Sequence, residues 1–446
     1  MQFLCALHLF INKILMKKRI VSILIIMCSS VAAFSQSGTN SPYSQYGLGV
    51  LSDQTSGFNR GMNGVGIGFR EGNQVNFINP ASYSGVDSLT FIFDAGISGQ
   101  ITNFNENGHK KNANNADFEY AVAALRLFKH LGLSFGIVPF TNVGYNYSSS
   151  QSINEDNSVS YQNTYTGSGG LHQVYVGLGY QLFKGFSIGV NGSYLWGDIT
   201  RNVQNTYSSS YVNTLSKSYY ADVRSYNVTV GAQYSLSVSK KDNVTLGITF
   251  TPGHKLGADA ECLVSSTNTQ TSVVNTDSLY VKNGLEIPNM YGAGLTWSHN
   301  NRIKVGFDYT LQKWSSVEYP QYAVVNDKPV YALQSGLFAD RQKFNLGAEF
   351  CANPDARNFF NRIRYRLGGS YATSYLKING QNGPKELSLS AGFGIPIFNS
   401  WNNRSILNIS GQWVRQAAKG MITENTFRIN IGLTFNERWF QKWKVE

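Results

Sequence analysis

Apolar and polar residues alternate with a period of two over most of the chain. From Ile303 to Leu311 the odd positions are apolar, whereas Lys304, Gly306, Asp308 and Thr310 occupy the even ones. The same alternation recurs at 226–238, 344–350 and 427–435. A strand with one apolar face alternates in this way. The pattern therefore predicts an all-β chain, and counting such segments gives about 14 strands.

The connections between these segments alternate in length. Tight turns such as Lys129-His130 and Lys184-Gly185 are separated by long polar stretches. We predict long loops at 103–117, 148–170, 201–218, 261–283 and 315–339. A soluble β-sandwich has the same alternation of apolar and polar residues, but its short and long connections are not separated to opposite ends of the strands. An outer-membrane barrel has short turns on one side and long loops on the other. The fold predicted for residues 89–435 is a transmembrane antiparallel β-barrel with both termini on the periplasmic side.

The N-terminus has the features of an export signal. Lys17-Lys18-Arg19 precedes an apolar run at 20–27, and Ala33-Phe34-Ser35 is a small-x-small cleavage site before Gln36. These are the basic, apolar and cleavage regions of a secretory signal peptide. We predict a signal peptide at 1–35, cleaved between Ser35 and Gln36, with the true start at Met16. Together with the barrel, it predicts the cell outer membrane of a Gram-negative bacterium.

Charge and cysteine content add two expectations. The formal net charge is +11, and about +7 is left once the four basic residues of the predicted signal peptide are removed. No basic run is interleaved with a nucleic-acid-binding motif, so we predict no nucleic-acid partner and assign the charge to anionic lipid or to the lumen. Cys262 and Cys351 fall at opposite ends of the predicted barrel, too far apart to pair, and are expected to be free thiols.

A glycine-rich segment at 36–88 lies between the signal peptide and the first strand. A barrel of about 14 strands is too wide for its own side chains to fill. We therefore predict that this segment is a hatch that plugs the lumen. The alternative is a disordered periplasmic tail. The run Gly64-Val65-Gly66-Ile67-Gly68 lacks the spacing and the βαβ setting of a nucleotide-binding loop.

The chain resembles the FadL-type outer-membrane transporters of long-chain fatty acids and other hydrophobic compounds. The resemblance rests on the signal peptide, about 14 strands, and a hatch that ends in Asn79-Pro80-Ala81. It implies passive uptake, without a cofactor, of a fatty-acid-like hydrophobic molecule that binds against the hatch and leaves sideways into the membrane. FadL-like barrels are also similar to barrel components that handle cargo in type IX secretion, which leaves a protein-interaction role as the alternative.

In the family, the lateral exit lies where the third strand kinks inward. The third predicted strand here contains Gly136-Ile137-Val138-Pro139-Phe140. Proline cannot donate to a β-ladder and marks a bulge or an interruption within a strand. Pro139 and Phe140 are therefore predicted to mark a lateral opening. The alternative is a proline tolerated near the barrel rim.

The sequence predicts neither an enzyme nor a metal site. Two G-x-S-x-G stretches, 132–136 and 185–189, follow tight turns and open strands, whereas the hydrolase motif needs a strand-turn-helix setting. The histidines are scattered without metal-ligand spacing. The residues 436–446 carry Trp and Lys and are predicted to form an interfacial periplasmic tail. We expect a monomer surrounded by outer-membrane lipid and lipopolysaccharide.

Overall fold

The structure is a computed structural model that describes residues 38–152, 160–397 and 405–438. Two predicted features lie outside these ranges: the signal peptide with its cleavage site at Ser35-Gln36, and residues 439–446 of the tail. Among the described helices, none is long and apolar enough to span a membrane.

The hatch, residues 38–88, is mostly irregular and contains a 3₁₀ helix at Pro42–Gln45, strand β1 (Val50–Leu51), helix α1 (Gly57–Gly61) and a second 3₁₀ helix at Pro80–Gly85. The remaining strands are β2 (Thr90–Glu106), β3 (His109–Phe128), β4 (Leu131–Ser152), β5 (Ser160–Phe183), β6 (Phe186–Tyr207), β7 (Thr214–Ser237), β8 (Asp242–Thr251), β9 (His254–Lys255), β10 (Ala260–Thr267), β11 (Val274–Val281), β12 (Glu286–Ile287), β13 (Met290–His299), β14 (Ile303–Gln312), β15 (Tyr319–Val325), β16 (Lys328–Gln334), β17 (Arg341–Phe350), β18 (Arg364–Ala372), β19 (Lys377–Ile378), β20 (Gln381–Asn382), β21 (Lys385–Ile397), β22 (Ser405–Ala417) and β23 (Thr423–Arg438). A third 3₁₀ helix, Trp314–Ser316, precedes β15, and helix α2 (Phe359–Arg362) precedes β18.

Fourteen of these strands form one closed antiparallel barrel, which confirms the predicted fold. They are β2 to β8, β13, β14, β17, β18 and β21 to β23. The first of them, β2, pairs with the last, β23, from Thr90 opposite Arg438 to Asn105 opposite Thr423. This pairing of the first strand with the last closes the sheet, as a membrane-spanning sheet requires. The last strand runs to Arg438, so residues 436–438 belong to the barrel and not to the predicted tail.

Along each barrel strand, the apolar side chains point to the outer face of the barrel and the polar side chains point into the lumen. In β14, Phe307 is 44% exposed on the outer face, while the inward Asp308 is 1% exposed. The outer faces of the other barrel strands carry similar exposed side chains, including Ile97, Ile248, Leu346, Leu367 and Ile429. In a membrane, lipid covers this apolar outer surface.

The predicted long loops are instead ordered β-ribbons in most of their length. Strands β2 and β3 continue to a tight turn at Asn107-Gly108, and the stretch predicted as a 261–283 loop contains the antiparallel pair β10–β11. The 315–339 stretch contains the pair β15–β16. These ribbons lie beyond the lipid zone and need no apolar face, so the period-two pattern that reveals membrane strands is absent there. Their Ser, Thr and Tyr residues still favour strands.

Candidate functional site

Inward-facing glycines let the hatch approach the barrel wall closely. We name this set the glycine belt: Gly132, Gly179, Gly189, Gly231, Gly247, Gly294, Gly306, Gly347 and Gly368. A Cβ at Gly132 would overlap the carbonyl oxygen of Tyr83, and one at Gly247 would overlap that of Ile67. Glycine within a strand often marks a site where another backbone comes near. The belt therefore seats the hatch from Met62 to Tyr83 against nine positions of the wall.

The predicted hatch motif Asn79-Pro80-Ala81 lies at one of these contacts. The side chain of Asn79 accepts a hydrogen bond from the Ala81 N–H at 3.1 Å and so caps the second 3₁₀ helix. Its amide nitrogen donates to the carbonyl of Ile67 at 3.0 Å and to that of Ala232 in β7 at 3.2 Å. Pro80 occupies the first helical position, where its missing N–H costs nothing. The motif thus joins two parts of the hatch to the barrel wall.

The glycine-rich run of the hatch binds a carboxylate of the wall. One oxygen of Asp308 accepts hydrogen bonds from the backbone N–H groups of Gly66, at 2.6 Å, and Ile67, at 2.9 Å. Successive backbone N–H groups that converge in this way form an anion-binding nest. The run at 64–68 therefore holds the hatch to β14.

Buried and half-buried ion pairs join the hatch to the wall at several further points. Arg60 of the hatch donates to Glu119 of β3 at 2.6 Å, and Lys304 of β14 contacts Glu71 of the hatch. Asp53 lies 3.1 Å from Lys343 and 3.5 Å from Arg428. Burial opposes ionisation of Asp53, but the charges of Lys343, Arg428 and Arg60 outweigh it and hold its pKa well below the usual value.

The pairing between β3 and β4 stops part of the way along the barrel. Its register runs from Phe128 opposite Leu131 to Ala121 opposite Ile137, and in the described residues no β3 partner follows for positions 138–152. Residues 109–120 of β3 pair with β2. We call the unpaired stretch between 109–120 and 138–152 the wall gap. The predicted residue Pro139 lies at its start, where the pairing of β4 with β5 also shifts register.

Strand β4 changes its surroundings at the wall gap. Residues Val138, Pro139, Phe140 and Thr141 are all buried, whereas a membrane strand with one face on lipid alternates between exposed and buried positions. Both faces of β4 are therefore covered there. Pro139 and Phe140 lie at this interruption of the sheet, and that they mark a lateral opening stays a prediction.

The N-terminal part of the hatch fills the wall gap. We call residues 42–54 the arm. Within it, β1 pairs with β4, Val50 opposite Asn142 and Leu51 opposite Thr141. The Gln54 side chain donates to the Pro139 carbonyl at 2.6 Å. The arm therefore satisfies hydrogen-bonding groups that β3 leaves without a ladder partner, as a buried backbone demands.

A packed apolar cluster occupies the lumen beside the wall gap, toward the end with the long ribbons. We call it the luminal cluster, and its core members are Tyr43, Leu48, Phe140, Val143, Tyr145, Leu171, Leu195, Ile199, Val223, Leu256, Leu285, Ile287, Trp314, Val317, Phe338, Tyr375, Leu376 and Ile378. The rings of Trp314 and Tyr375 have centroids 4.6 Å apart. The Tyr375 hydroxyl donates to the Gly49 carbonyl of the arm. One segment, the arm, thus closes both the wall gap and the luminal cluster.

Other predicted features have structural surroundings. The two G-x-S-x-G serines sit in strands, where Ser134 donates to the Ala123 carbonyl at 2.9 Å and Ser187 accepts from Arg70. Cys262 and Cys351 are buried free thiols, as expected. Within the described ranges, no group of three or more His, Cys, Asp or Glu side chains could hold a metal ion. Sequence reasoning missed the glycine belt, the Asp308 nest and the luminal cluster.

The arm should loosen when Asp53 loses its charge. We expect Asp53→Asn in a Leu51→Cys background to speed maleimide labelling of residue 51 several-fold, because Lys343 and Arg428 lose their shared partner. Since the pKa of Asp53 is depressed, its contribution is present above about pH 4 and lost as the pH falls further. Asp277→Asn, on the protruding β11, is the matched control and should leave labelling unchanged. Equal labelling in both variants would contradict this role for Asp53.

Comparisons with known proteins agree with this geometry. A solved structure of the Pseudomonas putida toluene transporter TodX superposes with a TM-score of 0.59 at 14% identity, covering 90% of this chain and 100% of that one. The Ralstonia pickettii toluene transporter TbuX gives 0.58 at 14%, covering 87% and 99%. A Pseudomonas aeruginosa FadL homologue gives 0.57 at 13%, covering 87% and 98%. At these identities the likeness shows a shared FadL-type fold.

The comparison with curated proteins gives no match. The comparison with protein families gives one assignment, and it covers nearly the whole chain. The model of the family described as BamG matches residues 16–446, which include the hatch, the arm and all fourteen barrel strands. The chain belongs to the BamG family.

Proposed function

We propose that this protein is a gated barrel of the outer membrane that admits hydrophobic small molecules, fatty-acid-like or monoaromatic, and releases them sideways into the bilayer. The observation that carries the proposal is that the wall gap and the luminal cluster adjoin each other and are closed by the same arm. A molecule that enters the lumen from the ribbon end would first contact the apolar side chains of the luminal cluster. The wall gap beside this cluster would then be its nearest exit into the bilayer.

The route requires movement, because the luminal cluster is filled by side chains. Tyr43 and Leu48 of the arm are 6% and 1% exposed within it. An incoming apolar molecule could take the place of these two side chains at little cost, since it buries a similar apolar surface. The hatch from Met62 to Tyr83 is held by the glycine belt, so we assign the movement to the arm alone. Uptake of this kind needs no cofactor.

The names of the similar structures support a hydrophobic substrate. TodX and TbuX are described as toluene transporters. The aromatic content of the luminal cluster, with Trp314, Phe338 and Tyr375 in mutual contact, suits a flat aromatic molecule as well as an acyl chain. Selectivity for long-chain fatty acids therefore stays a prediction, to be resolved by comparing the two substrates.

A disulfide across the wall gap tests the proposal. Val50 and Asn142 are directly opposite, at the spacing of antiparallel partners, which a disulfide can bridge. In a Cys262→Ser, Cys351→Ser background, we expect oxidised Val50→Cys, Asn142→Cys protein to take up a fluorescent fatty acid or toluene into liposomes at least tenfold more slowly. Reduction should restore the rate.

The control places the same crosslink outside the route. Gln321 and Ala332 are opposite in the β15–β16 ribbon, and Gln321→Cys with Ala332→Cys should leave uptake unchanged on oxidation. Uptake by the oxidised arm-locked protein at the unlocked rate would overturn the gating role of the arm. Uptake by the unlocked protein no faster than in empty vesicles would overturn transport.

A protein-interaction role is the second candidate. It is favoured by the packing of the luminal cluster, which leaves the barrel filled, and by the ordered ribbons β10–β11 and β15–β16 that extend beyond the wall. Native mass spectrometry of the protein extracted from its own membrane separates the two roles. A stoichiometric protein partner, together with uptake no faster than in empty vesicles, would favour this candidate.

A further inference from the structure

The outer surface of the barrel is recessed on one side. The recess has a volume of about 1740 Å³ and crosses the outer faces of eight neighbouring strands, from β14 round to β3. Its exposed apolar side chains include Ile97, Ile101, Leu367, Leu389 and Phe427. Pockets for drug-sized ligands measure about 300–1,000 Å³, so this recess can hold a larger, multi-chain molecule.

Four small residues and Ile429 form a row across the floor of the recess. The register places Ala116, Gly99, Ile429, Gly411 and Ala391 side by side across five strands. A Cβ at Gly99 or Gly411 would meet no atom within 4 Å. Neither glycine is therefore needed by packing within the protein, in contrast to the glycine belt. The space outside them is open to whatever the membrane supplies.

Toward the ribbon end, the recess continues into a polar one. This second recess has a volume of about 760 Å³ and shares Trp413 and Phe427 with the first. Its lining includes amide side chains that lie on outward positions of their strands: Asn103, Asn105, Asn112 and Asn425. Tryptophan is enriched at the membrane–water boundary, so Trp413 marks the headgroup level. Amide side chains both donate and accept hydrogen bonds and thus match sugar hydroxyls.

Cations surround this polar recess, and the acids of the same strands point away from it. Lys110 lines the recess, and Arg415 follows Trp413 by two positions on the same outward face. Lys385 occupies the outward position two residues before Leu387 in β21. In the described part of the chain, none of the three joins an ion pair. The acids nearby, Glu386 and Glu424, face inward and bind Arg341 and Ser41.

We propose that the outer wall binds one phosphorylated, multi-acyl glycolipid of the outer leaflet, of the lipid A type. Its acyl chains occupy the apolar recess, its sugars contact the asparagines and Trp413, and its phosphates lie among Lys110, Lys385 and Arg415. Charge complementarity favours this occupant over a neutral lipid, because basic pockets at the membrane surface bind anionic head groups. The site lies on the outer wall, and the inference is independent of transport through the lumen.

The test adds purified lipid A to the delipidated full-length protein and detects the bound lipid by native mass spectrometry. We expect one lipid A per wild-type protein and at least tenfold weaker binding by Lys110→Gln, Lys385→Gln, Arg415→Gln. Lys240→Gln, Lys241→Gln removes two exposed charges at the opposite end and should bind as wild type does. Dephosphorylated lipid A should bind the wild type as weakly as phosphorylated lipid A binds the triple variant.

A second pair of variants tests the apolar recess without touching charge. The double variant Gly99→Leu, Gly411→Leu should fill the floor of the recess and abolish the complex with lipid A. It should leave the fold unchanged, because no protein atom lies within 4 Å of a Cβ at either position. Gly192, on an outward position elsewhere, also has open space around it, so Gly192→Leu is the matched control. Unchanged binding by the recess or triple variants, equal binding of phosphatidylglycerol, or a protein partner on this face in place of lipid would each overturn the proposal.

Discussion

Replacement of Gly247 by alanine is expected to displace the hatch from the barrel wall and to lower the free energy of unfolding by about 1–3 kcal/mol. Gly247 lies on the inner face of β8, and an added Cβ would overlap the carbonyl group of Ile67 and approach the Asn79 side chain. The overlapping atoms belong to the backbone, so no flexible side chain can yield. The hatch must shift as a unit or the strand must bend.

The expected signature is ionic conductance as well as lower stability. A 14-stranded barrel without its plug is wide enough for a channel, so reconstituted Gly247→Ala should pass current in a planar bilayer where the wild type is closed. Unfolding by urea in lipid vesicles gives the stability difference.

Gly192→Ala provides the control, since nothing lies within 4 Å of a Cβ at that outward position. Replacing glycine by alanine within a strand otherwise stabilises by about 0.5–1 kcal/mol. We therefore expect effects of opposite sign at the two positions. If both variants stayed closed and equally stable, the glycine belt would have no seating role.

The barrel could be predicted because contact with lipid requires apolar residues at every second position of a strand. This pattern can be read from each strand separately. In β14 the apolar residues Ile303, Val305 and Phe307 share the outer face, as their spacing indicates. The β10–β11 ribbon lies outside the lipid and carries no such pattern, so its strands were predicted as a loop. Strand β8 ends at Thr251, and along residues 214–221 the partner of β7 is β10 instead.

The site depends on contacts between distant residues, which local patterns do not encode. Pro139 gave a local signal of interruption, but the arm that fills the wall gap comes from about 90 positions earlier in the chain. The glycine belt did leave a trace. Gly231, Gly306 and Gly347 stand on the polar faces of their strands, where a polar side chain is the usual choice. Glycine at these polar-face positions in several strands indicates that another backbone segment packs against the barrel wall. The sequence does not identify that segment.

Loss of the Glu349 charge is expected to destabilise the protein by about 3–5 kcal/mol, the usual cost of removing one partner from a buried ion pair. Glu349 is 3% exposed and accepts from Arg366 at 2.7 Å and from Arg364 at 2.8 Å. Lys304 lies 3.8 Å away. Glu349→Gln keeps the shape but leaves these cations without their shared carboxylate, in a site shielded from water by the hatch.

The exposed pair of Asp222 and Arg224, 3.1 Å apart, supplies the comparison for Glu349→Gln. Surface pairs of this kind contribute about 0–1 kcal/mol, so Asp222→Asn should unfold in urea almost as the wild type does. Each variant removes one carboxylate charge from a β-strand. The difference between their free energies of unfolding therefore reports the effect of burying the ion pair. If Glu349→Gln fell within about 1 kcal/mol of Asp222→Asn, the three cations would have to be hydrated, and the hatch could not form the tight seal against the wall that the glycine belt implies.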